Sequence, residues 1–289
     1  MRLAAYFAAV VLFGALVAPP LYWAGQHLIR AGIAPWLGRF DFETFFHRAL
    51  LLGAVIFLWP LLRSIKVRRA ADLGLIQNPK WKRDLATGFA IAAGPLLVAA
   101  AVILLLHIYT LKAALPAGGM ITVAVSAITV PLIEETLFRG LILGILLREF
   151  NSIAATIWSS AFFGIVHFLK APEGTSAMPA WNAGFVSLAH AFDQFRDPIL
   201  VVAGFTTLFL IGCILARARI ATRSLWMAIG LHSGWILISG EFGKLARRQI
   251  VALPWLGKSL LVGFVPLLVA LSSWGILLLW LKKNDRRSA

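Results

Sequence analysis

The sequence has little charge and almost no cysteine. Only 13% of its 289 residues are Asp, Glu, Lys or Arg, about half of the roughly 25% usual in a soluble globular domain. The apolar excess and the lack of repeats exclude disorder, collagen and coiled coil. The single cysteine, Cys213, lies in an apolar run, which excludes an intrachain disulfide and makes a cysteine-based metal site implausible.

Long apolar runs are plentiful instead, and 60% of the residues are hydrophobic. A bilayer span needs about 20 mostly apolar residues. Candidate spans lie near 3–24, 44–62, 85–109, 120–147, 152–169, 198–216, 224–240 and 259–281. The first run continues past Pro19 and Pro20, which favours a retained helix over a cleaved signal peptide. The sequence therefore predicts an all-α integral membrane protein with about eight transmembrane helices in a single membrane domain, 1–289.

The formal net charge of +15 would suit nucleic acid, but the basic residues cluster between the apolar runs. No soluble basic stretch is long enough for a nucleic-acid-binding domain. The positive-inside bias, strongest in the 63–83 loop, predicts that both termini are cytoplasmic. We expect a bacterial inner (cytoplasmic) membrane, since no targeting signal is evident. Aromatic and leucine side chains at helical spacing in the 170–197 connection predict a short helix in the membrane interface: Trp181, Phe185, Leu188, Phe192 and Phe195.

The informative residues are ionisable groups inside predicted spans, each of which costs at least about 2.5 kcal/mol at the bilayer centre. They are Glu134, Glu135 and Arg139 in the fourth span, His167 in the fifth and His232 in the seventh. Glu135 and Arg139 have the i, i+4 spacing of a helical ion pair. Glu134 lies about 100° around the helix, so no basic residue of that helix neutralises it. We predict Glu134 as a general base, supported by Glu135 and Arg139.

Several chemistries remain compatible with these residues. The zinc-protease and serine-nucleophile motifs are absent, and the aspartates lie outside the spans or at their ends. A carboxylate with two imidazoles can activate water and stabilise an oxyanion without a metal or a covalent intermediate. A zinc site made of one glutamate and two histidines competes with this interpretation, because the spacing does not discriminate between them. Purely structural roles in helix packing are the further alternative.

Three motifs together resemble the CAAX prenyl protease and bacteriocin-processing (CPBP) family, which includes the Abi proteins. They are Glu-Glu-x-x-x-Arg at 134–139, Phe-x-x-x-His at 163–167 and Ser-Leu-Trp-x-x-Ile-Gly-Leu-His at 224–232. The resemblance covers about residues 123–237, with 1–122 and 238–289 as additional transmembrane helices. It implies a CAAX-protease-like helix bundle and a metal-independent glutamic endopeptidase that needs no cofactor.

The same resemblance implies a role for each matching residue. Glu134 activates the water with help from His167, and His232 stabilises the oxyanion. Glu135, Arg139 and Phe163 have supporting roles. The substrate would be a membrane-embedded or lipid-modified protein or peptide, with the lipid bilayer as the surroundings and no nucleic acid as a partner.

One position departs from the family pattern. Where the family usually has Asn, four residues after His232, this chain has Ile236. An oxyanion donor is therefore missing, and its loss typically lowers a rate by about 10²–10³. A catalytically impaired scaffold or immunity-like protein is one alternative function. A proton-coupled transporter is another, although no internal repeat is visible.

Overall fold

The computed structural model describes residues 2–114, 117–168, 179–196, 198–250, 255–256 and 263–285. The chain divides into two compact units. The first comprises Met1–Arg69 and Val166–Pro198, and the second comprises Ala70–Ile165 and Ile199–Ala289. The single membrane domain expected from the sequence stays a prediction.

The described elements are almost all helical. The α-helices are α1 (Arg2–Arg30), α2 (Phe42–Ser64), α3 (Trp81–Leu105), α4 (Ala117–Glu135), α5 (Leu143–Glu149), α6 (Ser152–Val166), α7 (Ala183–His190), α8 (Pro198–Thr222), α9 (Trp226–Leu245) and α10 (Phe264–Asp285). A π-helix, Thr136–Ile142, joins α4 to α5. Short 3₁₀ helices cover Pro35–Arg39, Ala70–Leu73 and Asp193–Arg196, and two strands are β1 (Tyr109–Leu111) and β2 (Ala246–Arg248).

The predicted membrane fold is confirmed, although two of the eight predicted spans, α6 and α9, differ from the other six. Six described helices are long and apolar enough to cross a bilayer: α1, α2, α3, the continuous Ala117–Glu149 stretch, α8 and α10. Helix α6 has 15 residues, about 22 Å, and is shorter than the hydrocarbon core of about 30 Å. Helix α9 has 20 residues and is not among these six candidate spans, and nine of its residues are buried.

In the first unit, α1 and α2 form an antiparallel hairpin. Asp41 begins α2 by accepting a hydrogen bond from the Thr44 backbone N–H at 3.0 Å, which satisfies one of the free donors of the first turn. The Tyr6 hydroxyl donates to the Ala54 carbonyl across the hairpin at 2.9 Å. The helices bury a cluster of Phe and Ala side chains that also contains Ala183 of α7.

The predicted short helix after residue 170 is present as α7. It packs against the middle of α1 and not against either end of α1, where the membrane interface would lie. Gly184 approaches the Ala15 carbonyl so closely that a Cβ there would overlap it. Ala15 is about 20 Å from either end of α1 at 1.5 Å per residue. The expected position in the membrane interface is therefore not supported. An apolar stripe at helical spacing does not distinguish a lipid surface from the side of another helix, and here it includes Leu188, which packs beside α1 and α2.

In the second unit, α3 and α9 lie side by side and run parallel. Their backbones approach at Gly88, Gly230 and Gly234, where an added Cβ would meet the Met227, Leu85 and Phe89 carbonyl oxygens respectively. Such close approach is typical of small residues at membrane helix interfaces. Helix α10 covers another side of α3, where the Ser273 hydroxyl donates to the Ile91 carbonyl at 3.1 Å.

A two-stranded antiparallel sheet joins the ends of α3 and α9, and the sequence did not predict it. Tyr109 pairs with Arg248 and Leu111 with Ala246. Tyr109 and Ala246 are buried in a cluster with Phe242 of α9. Three-residue strands are too short for an alternating pattern to be recognised, so only the packed helices reveal them.

Candidate active site

The two adjacent glutamates lie where the helix geometry changes. Helix α4 ends at Glu135, and the π-helix begins at Thr136. Arg139 lies within the π-helix, and the chain returns to α-geometry at Leu143. Single π-turns inside membrane helices are uncommon and often occur at functional sites. The wider turn therefore lies within and just after the Glu-Glu-x-x-x-Arg segment.

Glu135 and Arg139 form the ion pair that their spacing predicted. The Arg139 Nε lies 3.4 Å from Glu135 Oε2, and both side chains are fully buried. A guanidinium N–H of Arg139 also reaches the Gly212 carbonyl of α8 at 3.4 Å. The guanidinium carbon stands 4.2 Å from the centre of the Phe163 ring, a cation–π contact. The charge is thus held by three neighbouring helical segments.

His232 of α9 connects the two glutamates. Its Nδ1 lies 2.8 Å from Glu135 Oε1, and its Nε2 lies 3.9 Å from Glu134 Oε2. An ionised carboxylate can only accept hydrogen bonds, and Glu135 is paired with Arg139. Nδ1 therefore donates the proton of the shorter contact, and Nε2 is the nitrogen directed toward Glu134. The sequence predicted all of these residues for one site but not the contact between His232 and Glu135.

The two glutamates differ in access. The Glu134 side chain is 27% exposed, whereas that of Glu135 is completely buried. A fully buried carboxylate in contact with an arginine and a histidine is not accessible to an incoming molecule. Of the pair, Glu134 is the residue that a water or substrate atom can reach.

Phe163 forms the wall behind the imidazole. It is buried on α6, and its ring meets the His232 ring edge to face with 6.0 Å between centres. The Phe138 ring lies against Phe163 in the same manner at 5.1 Å. Helix α6 comes close to α8 at Gly212, whose position would bring an added Cβ against Ser160. Aromatic packing therefore fixes the orientation of the ion pair and the imidazole together.

His167 lies outside the helix that was expected to contain it. The fifth span was predicted to continue to residue 169, but α6 ends at Val166 and His167 is an exposed turn residue. It belongs to the first unit, whereas the other predicted site residues belong to the second. Its cooperation with Glu134 stays a prediction.

Ile236 occupies the position that the family pattern assigns to a polar residue. It follows His232 by one turn of α9 and is half-buried. Its side chain has no hydrogen-bond donor. Within the described part of the chain, no group of three or more His, Cys, Asp and Glu residues is arranged to hold a metal ion.

The comparison with known families covers this whole site. Residues 116–238 match the family model "Type II CAAX prenyl endopeptidase Rce1-like". This segment is similar to that family. The predicted resemblance to the CPBP family is thereby confirmed, and the Rce1-like segment supports a CAAX-type intramembrane protease within an integral membrane protein. No curated protein and no solved structure matches the chain.

Proposed function

We propose that this chain is a metal-independent intramembrane endopeptidase in which Glu134 activates the attacking water. The observation that supports this most is the His232 imidazole between two carboxylates, 2.8 Å from Glu135 and 3.9 Å from Glu134. One carboxylate is buried and paired, and the other is accessible. That difference suits a positioning role for Glu135 and a proton-transfer role for Glu134.

We propose that the attacking water binds between Glu134 and His232. A water about 2.8 Å from both Glu134 Oε2 and His232 Nε2 would have an angle of about 90° between its two contacts, given normal hydrogen-bond lengths. Glu134 takes one proton from this water while the water oxygen attacks the carbonyl carbon of the scissile peptide bond. No covalent bond to the protein forms. Glu134 then gives the proton to the departing amine nitrogen as the carbon–nitrogen bond breaks.

His232 orients the water and then stabilises the oxyanion through Nε2–H. With His232 protonated, two carboxylates face one imidazolium and one guanidinium, so the four groups carry no net charge. A balanced set is the least costly arrangement in a medium of low dielectric constant. Glu135 accepts a hydrogen bond from Nδ1 and so orients the ring. Arg139 in turn positions Glu135 through the ion pair. We further propose that His167 assists Glu134, as the family resemblance implies.

The substrate that we propose is a membrane-embedded or lipid-modified protein or peptide. Glu134 and Glu135 lie on the Ala117–Glu149 stretch, a candidate membrane span, so a peptide bond must reach them within the bilayer rather than from a soluble complex. We place the protein in a bacterial inner membrane with both termini cytoplasmic. The basic 63–83 loop supports that orientation.

The test compares membrane fractions from cells that express the wild type or Glu134→Gln at matched levels. Substitution of a general base typically lowers a rate by about 10²–10⁴, so peptide termini produced by the wild type should disappear. Glu149→Gln is the matched control, because Glu149 is an exposed residue at the end of α5. A zinc chelator should leave the activity unchanged. Cleavage by Glu134→Gln at the wild-type rate would refute the proposal.

Ile236 favours a second candidate, a catalytically impaired scaffold that retains the bundle. The two functions differ in one outcome. If wild type, Glu134→Gln and Ile236→Asn all give the same membrane peptide termini, the scaffold accounts for the protein better than the endopeptidase.

A further inference from the structure

A large groove lies in the second unit, between α3 and α10 and away from the glutamates. Its volume is about 710 Å³, and its lining is almost entirely apolar. It follows α3 from Thr87 to Leu106 and α10 from Val265 to Ile276. These nineteen steps of α3 correspond to about 28 Å, close to the thickness of a bilayer's hydrocarbon core.

The groove faces the lipid rather than the interior of the bundle. Both of its helices are candidate membrane spans. Val98, Leu106 and Leu268 on its walls are 65%, 62% and 58% exposed. In a membrane, an open apolar groove of this length is filled by hydrocarbon chains. The groove is of functional interest only if it selects one kind of lipid.

Aromatic side chains at one end of the groove indicate that this end lies at the membrane interface. Trp255 lines that end, and its ring packs against Phe264 with 5.7 Å between centres. Both side chains are about half exposed or more. Tryptophan is enriched at the level of the lipid headgroups, where its apolar ring and its N–H both find suitable surroundings.

Basic residues lie on or beside the two strands that continue from the same end. Ile108 lines the groove and accepts a hydrogen bond from the Gln249 backbone N–H at 2.9 Å, which connects the groove directly to β1 and β2. Arg247 on β2 and Lys112 just after β1 are both exposed. The chain has no acidic residue from 100 to 114, and only Glu241 from 239 to 256. Positive charge therefore dominates this end.

We propose that the groove is a binding site for an anionic phospholipid, with an acyl chain between α3 and α10 and the phosphate group near Lys112 and Arg247. Basic pockets between transmembrane helices are a recognised arrangement for anionic headgroups on the cytoplasmic side of a membrane. With cytoplasmic termini this end lies on the opposite side, where the same charge attraction acts. The apolar lining alone would accept any lipid. The charge at one end, together with the aromatic pair at the same level, gives the preference for an anionic one. This site is separate from the proposed proteolysis and does not depend on it.

The experiment uses the full chain in phosphatidylcholine nanodiscs that contain a trace of phosphatidylglycerol with a photoreactive group on its acyl chain. After illumination, labelled peptides are identified by mass spectrometry. We expect labelling of α3 and α10 peptides, and weaker labelling with the matching phosphatidylcholine probe. Each basic side chain near an anionic headgroup contributes about fivefold, so Lys112→Gln with Arg247→Gln should lower the preference about 25-fold.

Two glycines provide a matched pair of variants. A Cβ at Gly94 or at Gly275 meets nothing within 4 Å, so neither backbone position excludes a side chain. Gly94 lines the groove, whereas Gly275 of α10 does not. Gly94→Leu should reduce labelling of both helices, and Gly275→Leu should leave it unchanged.

Three results would overturn the proposal. One is equal labelling by the two probes in the wild type, which would indicate ordinary boundary lipid. Another is unchanged labelling in Gly94→Leu. The third is displacement of the probe by a lipid-modified peptide substrate, which would assign the groove to the substrate instead. Glu134→Gln should be labelled like the wild type, so failure of the endopeptidase proposal would not be confused with failure of this one.

Discussion

Replacing Arg139 by methionine would leave Glu135 as a buried carboxylate without its guanidinium. Both side chains have no exposed surface, and their closest atoms are 3.4 Å apart. Removing one member of a buried ion pair typically costs about 3–5 kcal/mol, because the other charge stays desolvated. Glu135→Gln should cost a similar amount, since it leaves the buried guanidinium without the carboxylate it contacts.

The double variant Glu135→Gln/Arg139→Met should be far more stable than the two losses suggest. Removing both charges also removes the desolvation penalty, and an uncharged replacement of similar volume is often close to neutral. We expect the double variant to lose about 3 kcal/mol or less, including the altered contact of residue 135 with His232. The coupling energy is then at least about 3 kcal/mol, at or above the upper end for residues in contact.

The assay is reversible unfolding of the purified protein in mixed micelles, with the mole fraction of denaturing detergent as the variable. The double-mutant cycle is complete with wild type, both single variants and the double variant. If the stability losses of the two single variants add up to the loss of the double variant within about 0.5 kcal/mol, the two side chains act independently. That result would refute the buried ion pair as the centre of the site.

Two further variants test neighbouring features. Ile236→Asn would place an amide donor one turn from His232. We expect cleavage to rise by up to about 10²-fold in a peptide-terminus assay. A fall in cleavage at equal protein levels would contradict the missing-donor interpretation. Gly230→Ala would drive a Cβ into the Leu85 carbonyl between α3 and α9, and we expect about 1–3 kcal/mol of destabilisation in the same micelle titration. Gly118→Ala is its control, because a Cβ there meets nothing within 4 Å.

The helical spacing of the sequence predicted the contacts within one helix. Glu135 and Arg139 are four residues apart, and that spacing alone brings them together. The charges in apolar runs also identified α9 as part of the site, although α9 is not among the six candidate spans. Such residues are costly in lipid and are therefore informative wherever they occur.

Contacts between helices could not be predicted in the same way. Nothing in the order of residues indicates that His232 bonds to Glu135 rather than Glu134, because that depends on how α9 is rotated against α4. The π-helix after Glu135 has no sequence signal of its own. The short sheet of β1 and β2 was missed for a similar reason, since its pairing is imposed by the parallel helices that precede each strand.

The parallel contact between α3 and α9 has a consequence for biosynthesis. Gly88 and Gly230 are about 140 residues apart in the chain, and ribosomes add about 5–20 residues per second. The small-residue face of α3 therefore enters the membrane roughly 7–28 s before its partner helix is made. During that interval it can pair with any helix nearby, including one of another nascent chain. A membrane chaperone or insertase that shields α3 until α9 emerges would protect this protein at its most vulnerable stage.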